Sequence, residues 1–455
     1  MDDLSGIDRI HIVGVGGAGM SALAKVLAGR GHVVTGSDLR WGAPLATLTD
    51  LGLDVWSGHR PDRIAGADLV VASSAVPDAD PELVAAGDAG VTVWRRPALL
   101  AAITASLSTI GATGTHGKTS STAMMISAVR AAGIDPSFVV GGDLVEYRTN
   151  AAVGSDDLLV LEVDEAFGTF EDIALRGLMV TNVEAEHLDH FGTLDQLESA
   201  FARVVRAVDG PVVVCLDDPG AARLARRTGA RTYGMSAGAD WLVSGLTEVG
   251  ARSRFHLTSG STSLVVELPR IGRHMVRNAA GVVALLAEYG MDPVVCASGI
   301  ARYRGVRRRF ENRGTVNGIT VVDDYAHHPT EVAATIREAR AGGHRRVVAV
   351  FQPHLYSRTE RFQGEFGTAL AMADLVVVTG VYGSREEPIP GVTGSLVSDA
   401  ATRAGAGAVV YVPHLGDVPG RLAELVAPGD LVLTMGAGDI TVIAPEILGV
   451  IGEWA

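Results

Sequence analysis

The sequence predicts an α/β chain of three successive domains, each built on a mostly parallel sheet. Three observations carry this. A short apolar strand, Ile10 to Val15, enters Gly14-Val15-Gly16-Gly17-Ala18-Gly19, and Met20, Leu23, Val26 and Leu27 then recur at helical spacing. A second strand–loop–helix pattern spans Ser108 to Ser120, in the first third of the chain. A third series of short apolar runs, Val347–Phe351, Leu375–Thr379, Ala408–Val412 and Leu431–Met435, alternates with helical segments. Strands separated by helices pair in parallel, with the helices covering both faces.

In the first domain a second strand, His32 to Thr35, ends at Gly36-Ser37-Asp38, and a third, Ala67 to Ala72, ends at Ser73. Trp94-Arg95-Arg96-Pro97 reads as a loop before the next helix. The second domain opens with the Ser108–Ser120 pattern and a helix over Lys118–Ala131. Strands follow at Leu158–Val163, Leu178–Asn182 and Val212–Leu216. Alternation over 240–268 suggests appended antiparallel strands, and helices at Asn278–Glu288 and Pro293–Arg302 close the unit. The third begins with a hairpin-like stretch, Gly314 to Val322. Boundaries fall at 1–104, 105–310 and 311–455. The domains read as Rossmann-like, P-loop ATPase-like and Rossmann-like in turn.

At 455 residues the chain exceeds what one core supports. A net charge of −14 argues against a nucleic-acid partner, which needs clustered cations; Arg302 to Arg309 is the one basic run. Cys215 and Cys296 lie far apart in apolar stretches, so they read as core-filling thiols of a reducing cytosol. The acidic start Met1-Asp2-Asp3 lacks an apolar region, and no apolar run reaches 18 residues, so neither a signal peptide nor a membrane span is expected.

The central loop carries the clearest chemistry. In Gly114-Thr115-His116-Gly117-Lys118-Thr119-Ser120 the backbone N–H groups would cradle a polyphosphate, and Lys118 would reach the β/γ-phosphates of ATP. The Thr119 hydroxyl would sit on Mg²⁺. Ala112 stands where the motif's first glycine belongs. Gly14, Gly16 and Gly19 form a second phosphate-binding pattern, with Asp38 spaced as a ribose-binding acid. Alone it suits any pyrophosphate nucleotide, NAD included. Glu162, Asp164 and Glu165 end an apolar strand, where carboxylates meet hard cations, and Glu162 is the better candidate. His187 follows the next strand and suits a second cation or a phosphoryl oxygen. In Asp323-Asp324-Tyr325-Ala326-His327-His328-Pro329-Thr330-Glu331, Thr330 is the expected helix cap; the histidine pair lacks the partners of a zinc site. Arg358, after Gln352-Pro353-His354, offers a fork for a carboxylate.

These pieces, in this order, resemble the Mur ligases along essentially the whole chain. The runs that carry the resemblance are His11 to Ser21, Gly114 to Thr119, Gly272-Arg273-His274 through Asn278-Ala279, Gly305 to Phe310, Asp323 to Glu331, and Phe351-Gln352-Pro353-His354. The resemblance implies a UDP-sugar domain, an ATPase and an amino-acid domain, with ATP and Mg²⁺ (or Mn²⁺) as cofactors. It implies ligation of L-alanine to the lactyl carboxylate of UDP-N-acetylmuramate through an acyl phosphate. Gly16, Gly17, Ala18 and Gly19 would hold the UDP pyrophosphate, and Ser37, Asp38, His59 and Ser73 would lie along the UDP moiety. Lys118 serves ATP; Thr119, Glu162 and His187 serve the cation. Asn278 matches an adenine contact, Asp324 a ribose contact, and Arg308 and Arg309 approach the phosphates. Tyr325, His327, His354 and Arg358 line the amino-acid site, where His327 or His354 accepts the amine proton. A cytoplasmic monomer or weak homodimer is expected.

Three departures from the family pattern stand out. Ala166 and Phe167 replace a usual Ser-Asp, Glu186 replaces an Asp before His187, and Leu355 replaces an Arg. Competing readings are a recycling ligase that joins a preformed peptide to the same sugar, a nicotinamide oxidoreductase, and a non-catalytic nucleotide-binding regulator.

Overall fold

The apolar runs resolve into three sheets. The computed structural model describes residues 4–384 and 386–453, with only the backbone of Phe167 and Asp189 described. The chain divides into two units. The second holds residues 248–253, 270–274 and everything from 305 on; the first holds the rest.

The first unit contains two sheets. Strands β1 (Arg9–Val13), β2 (Val33–Asp38), β3 (Asp54–Ser57), β4 (Leu69–Ala72) and β5 (Thr92–Arg95) pair in the order β3-β2-β1-β4-β5, all parallel. Trp94 and Arg95 therefore belong to a strand rather than a loop: Trp94 pairs with Val71, and its ring is buried at the sheet edge.

The larger sheet is formed by β6 (Ser108–Thr113), β7 (Ser137–Leu144), β8 (Thr149–Ala152), β9 (Leu158–Glu162), β10 (Gly177–Val180), β11 (Val212–Cys215) and β12 (Arg231–Gly234), followed by β13 (Trp241–Val249), β14 (Arg252–Ser259) and β15 (Thr262–Leu268). Their order is β15-β14-β13-β12-β11-β10-β6-β9-β7-β8. Its centre is parallel, and β8 returns antiparallel to β7. The β7–β8 pair was not read in the sequence, because Val140-Gly141-Gly142-Asp143 interrupts the alternation that marks a strand.

In the second unit β16 (Glu311–Val316), β17 (Ile319–Asp324), β18 (Arg346–Phe351), β19 (Leu375–Thr379), β20 (Val409–Val412) and β21 (Asp430–Met435) pair in the order β16-β17-β21-β18-β19-β20. The expected hairpin is present, turning through Asn317 and Gly318 at φ 50° and 74°, as a two-residue turn of this kind requires. Side chains alternate between two cores. Phe351, Val376, Leu433 and Met435 face one layer; Val348, Val350, Val377 and Val432 face the other.

A second local expectation also fails. The helix Pro329–Ala341 is capped at His328, not Thr330. Proline fits the first helical position because it needs no N–H partner there. Glu331, three residues after the cap, accepts from the backbone N–H of His327 at 3.0 Å and of His328 at 3.3 Å.

Candidate active site

The phosphate loop lies between β6 and the helix Lys118–Ala131. Ala112 is buried inside β6, paired with Met179 and Glu162, so the tight turn begins two residues later. Gly114 has φ 125°, and a Cβ there would fall 2.3 Å from Thr181 Oγ1; at Gly117, φ 82°, it would fall 2.9 Å from Asn278 Nδ2. Only glycine fits either position. Asn278 thus adjoins the loop.

Residues 181–184 leave the sheet and hold the loop. Asn182 Oδ1 accepts from His116 N at 2.7 Å, its Nδ2 donates to His116 O at 3.0 Å, and the Thr115 hydroxyl accepts from Glu184 N at 2.8 Å. His116 Nε2 lies 3.3 Å from Glu184 Oε2. Thr119 and Ser120 are buried in the first turn of the helix.

Lys118 folds back over its own loop. Its ammonium donates to Gly114 O at 2.8 Å, Thr115 O at 3.3 Å and Glu165 Oε2 at 2.8 Å, with Asp164 at 3.6 Å. Burial opposes the charge, but Glu165 and Asp164 outweigh it and hold Lys118 above its ordinary value. Thr119 donates to Glu162 Oε1 at 3.0 Å, while Glu162 Oε2 accepts from Gly141 N at 2.5 Å. A Cβ on Gly141 would lie 2.7 Å from Glu162 Oε1. Thr119 and Glu162 are therefore brought together as expected. His187, at φ 54°, is grouped instead with Asp164 and Glu165, their ligand atoms all within 4.8 Å. The side chain of Phe167 lies outside the described residues.

In the first sheet the loop after β1 leads into the helix Ala18–Gly29, whose cap residue Gly17 offers no side-chain bond and whose first turn has no acid. Asp38 Oδ2 accepts from Gly16 N at 2.9 Å, and a Cβ on Gly16 would lie 2.8 Å from the same oxygen. Ser37 donates to Glu82, which is fully buried and also accepts from Arg60 N at 2.8 Å. Burial raises the cost of charge on Glu82, but the His11 ring, 3.6 Å away, and hydrogen bonds from Arg60 N and Ser37 hold its carboxyl at about 2. His59 Nδ1 is 3.6 Å from Asp80, and Ser73 Oγ accepts from Ala75 N at 3.4 Å. Ser37, Asp38 and Ser73 thus sit at the carboxyl ends of the strands beside the glycine loop, and His59 follows β3.

In the second unit Tyr325, His327, His354 and Arg358 are brought together. The His327 ring lies 5.1 Å from Tyr325 and 5.8 Å from His354, and Arg358 Nη1 is 3.5 Å from His354 Nδ1. His327 Nδ1 is 3.1 Å from Tyr325 O and 3.3 Å from Glu331 Oε2. Burial lowers its pKa to about 4, against the pull of Glu331, so the ring is neutral near pH 7. With Nδ1–H given to the Tyr325 carbonyl, Nε2 keeps its lone pair.

Arg308, at φ 58°, donates from Nη2 to Gly436 O at 2.7 Å and Gly438 O at 3.0 Å, so it clamps its own unit. Arg309 lies over the Tyr325 ring at 5.0 Å. Asp324 accepts from Ala326 N and Phe310 N, each at 2.7 Å, and burial, partly countered by Arg309, pushes it up to about 6. Leu355 takes φ 67° at the start of the helix Tyr356–Leu370, a strained backbone where the sequence departs from the family pattern.

Several residues at these sites were not singled out from sequence: Glu165 as the partner of Lys118, Gly141, Asn182, Tyr382 stacked on His354 at 5.9 Å, and Arg96 beside Gly19. The Gly141-Gly142 pair and the adjacent Arg95-Arg96 were the available signals. Both cysteines are buried and unpaired, and burial raises each thiol to about 11, so they fill core space as read. Among the described residues no helix is long and apolar enough to cross a membrane.

Comparison with known proteins matches three family descriptions in order: "Mur ligase family, catalytic domain" over residues 9–107, "Mur ligase middle domain" over 112–286, and "Mur ligase, glutamate ligase domain" over 308–438. A UDP-N-acetylmuramate–L-alanine ligase of Mycolicibacterium vanbaalenii is 44% identical, covering 97% of this chain and 96% of that one. The crystal structure of a UDP-N-acetylmuramate–alanine ligase of Thermotoga maritima superposes with a TM-score of 0.83 at 29% identity, covering 97% and 98%. A murein peptide ligase of Psychrobacter arcticus shares the fold, with a TM-score of 0.72 at 24% identity over 99% and 100%. The chain belongs to the Mur ligase family.

Proposed function

We propose that this protein ligates L-alanine to the lactyl carboxylate of UDP-N-acetylmuramate with conversion of ATP to ADP and phosphate, a step of peptidoglycan synthesis. The observation that carries the reading is Lys118 with Thr119 and Glu162 at one sheet edge, in the same unit as the uncapped glycine loop Gly16–Gly19. The near full-length likeness to ligases of that name supports it.

The division of labour follows the domains 1–104, 105–310 and 311–455. Gly16, Gly17, Ala18 and Gly19 hold the pyrophosphate, with Ser37, Asp38, His59 and Ser73 alongside. Gly114 to Ser120 hold the ATP phosphates, and Asn278 faces the base. The Thr119 hydroxyl and Glu162 carboxylate, 3.0 Å apart, are hard oxygen donors that fit Mg²⁺, or Mn²⁺, with His187 near a second position. When bound, the cation screens the negative charge between nucleophile and nucleotide.

The carboxylate attacks the γ-phosphoryl group and forms an acyl phosphate. Lys118 leaves Glu165 to meet the transferring phosphoryl, with Arg309 assisting, and the loop amides stabilise its oxygens. The alanine amine then attacks the acyl carbon and phosphate departs. Tyr325, His354 and Arg358 orient the amino acid, and His327 Nε2 accepts the amine proton. Two buried thiols suit a cytoplasmic setting.

The test is ADP formation with UDP-N-acetylmuramate and Mg-ATP, with and without L-alanine. Release that requires L-alanine and yields the alanyl product is expected. Release only with a tripeptide would assign the recycling reaction instead.

A further inference from the structure

Arg95 and Arg96 are neighbours at the end of the first sheet, yet their charges are handled differently. Arg95 donates to Val76 O at 2.7 Å and Ser73 O at 3.3 Å and pairs with Asp78, so its charge is neutralised within the 73–78 loop. Arg96 opens the helix Arg96–Ala105 and points its guanidinium at the glycine loop. A Cβ on Gly19 would stand 3.1 Å from Arg96 Cζ and Nη2 and 3.3 Å from Nε. The missing side chain of Gly19 is therefore what lets the guanidinium approach the first turn of the helix Ala18–Gly29.

Among the described residues Arg96 has no hydrogen-bond or ion-pair partner, and its Nε is buried. A half-buried cation without a counter-charge is unfavourable unless an anion completes it. The described residues pair no carboxylate with it. The first turn beside it has no acid, and Asp38 is turned to Gly16 N. Arg96 thus adds a fixed positive charge to backbone N–H groups that already favour an anion.

We infer that Arg96 is a ligand of the UDP-sugar pyrophosphate; this rests on the reading of Gly16–Gly19 as the sugar-nucleotide loop. Its fork replaces part of the phosphate's hydration, and the glycine at position 19 keeps the space open. The role is distinct from the chemistry at Lys118, so ATP binding does not depend on it.

The test is calorimetric binding of UDP-N-acetylmuramate, UDP and UMP to the full chain, with Mg²⁺ and a non-hydrolysable ATP analogue present. Arg96→Met keeps the apolar stem and removes the charge; Arg96→Lys keeps the charge and loses the fork. Arg96→Met is expected to weaken UDP-N-acetylmuramate and UDP alike by about 10- to 100-fold, with a smaller effect on UMP and none on the ATP analogue. Arg96→Lys should recover part of the loss. The ligand-free melting temperature of Arg96→Met should not fall, because an uncompensated charge has been removed. Unchanged UDP affinity would overturn the inference and leave the sugar-nucleotide reading intact. Loss for UDP-N-acetylmuramate but not UDP would move the guanidinium to the sugar's carboxylate and also overturn it. A lowered ligand-free melting temperature together with lost ATP-analogue binding would make the residue structural. No UDP-sugar binding by the unsubstituted protein would overturn the underlying reading and the inference with it.

Discussion

Lys118 Nζ donates to Glu165 Oε2 at 2.8 Å, with Glu165 almost wholly buried and its other oxygen, Oε1, without a hydrogen-bond partner among the described residues. A lysine held this way must be released before it can serve a nucleotide phosphate. Glu165→Gln removes the opposing charge while keeping the shape. It should tighten ATP binding by about tenfold, read by nucleotide titration. Weaker binding would mean that Glu165 helps to form the site rather than competing for the lysine. Lys118→Ala should abolish turnover.

Gly141→Ala forces a Cβ against Glu162, the carboxylate proposed to hold the cation. The expected result is a folded enzyme whose activity falls by about tenfold or more at low Mg²⁺ and partly recovers at high Mg²⁺. A magnesium titration of the rate checks it; an unchanged requirement would separate Gly141 from the cation site.

The helix Ala18–Gly29 is fastened to the β7–β8 hairpin by three side chains. Lys25 Nζ donates to Asn150 Oδ1 at 2.9 Å and Thr149 Oγ1 at 3.1 Å, and Asn150 Nδ2 donates to Ala18 O at 3.2 Å. Burial lowers the pKa of Lys25, with Asp143 opposing, so the link is partly withdrawn from water. Asn150→Ala removes two of these three bonds and leaves Lys25 held by Thr149 alone. It should cost about 1–3 kcal/mol of stability in denaturant unfolding. A variant as stable as the parent would show the link to be incidental.

The second unit should carry two opposed pH dependences of stability. Asp324 titrates at about 6 in the fold against an ordinary 3.8, so its contribution is complete below 3.8 and lost as pH rises to about 6. His327 titrates at about 4 against 6.5, so its contribution is present above 6.5 and lost as pH falls to about 4. Relative to the parent, Asp324→Asn should gain stability as pH rises through 4–6, and His327→Gln as pH falls through 6.5–4, each by about 3 kcal/mol. Melting curves across this range decide it; a slope of the opposite sign for either variant would contradict that residue's assignment.

Much of this was legible in the sequence, for identifiable reasons. The helix Lys118–Ala131 was bounded correctly because the loop glycines and the apolar spacing agree. The strand Leu375–Thr379 was bounded correctly because it is apolar throughout, as a central parallel strand is. The strand ending at Asn182 was read two residues too long, because Thr181 and Asn182 leave the sheet to hold the phosphate loop. Glu165 was visible as an acid at a strand end, but its pairing with Lys118 depends on a turn that spacing does not reveal. Arg96 was hidden for the same reason: only the fold brings it to Gly19.

The most direct test of the central claim follows oxygen. UDP-N-acetylmuramate labelled with ¹⁸O in both lactyl carboxylate oxygens is turned over with Mg-ATP and L-alanine, and the released phosphate is analysed by mass. Carboxylate attack on the γ-phosphoryl group, then amine attack on the acyl phosphate, must leave one ¹⁸O in each phosphate. Phosphate without ¹⁸O would contradict the acyl phosphate and the roles given to Lys118 and His327.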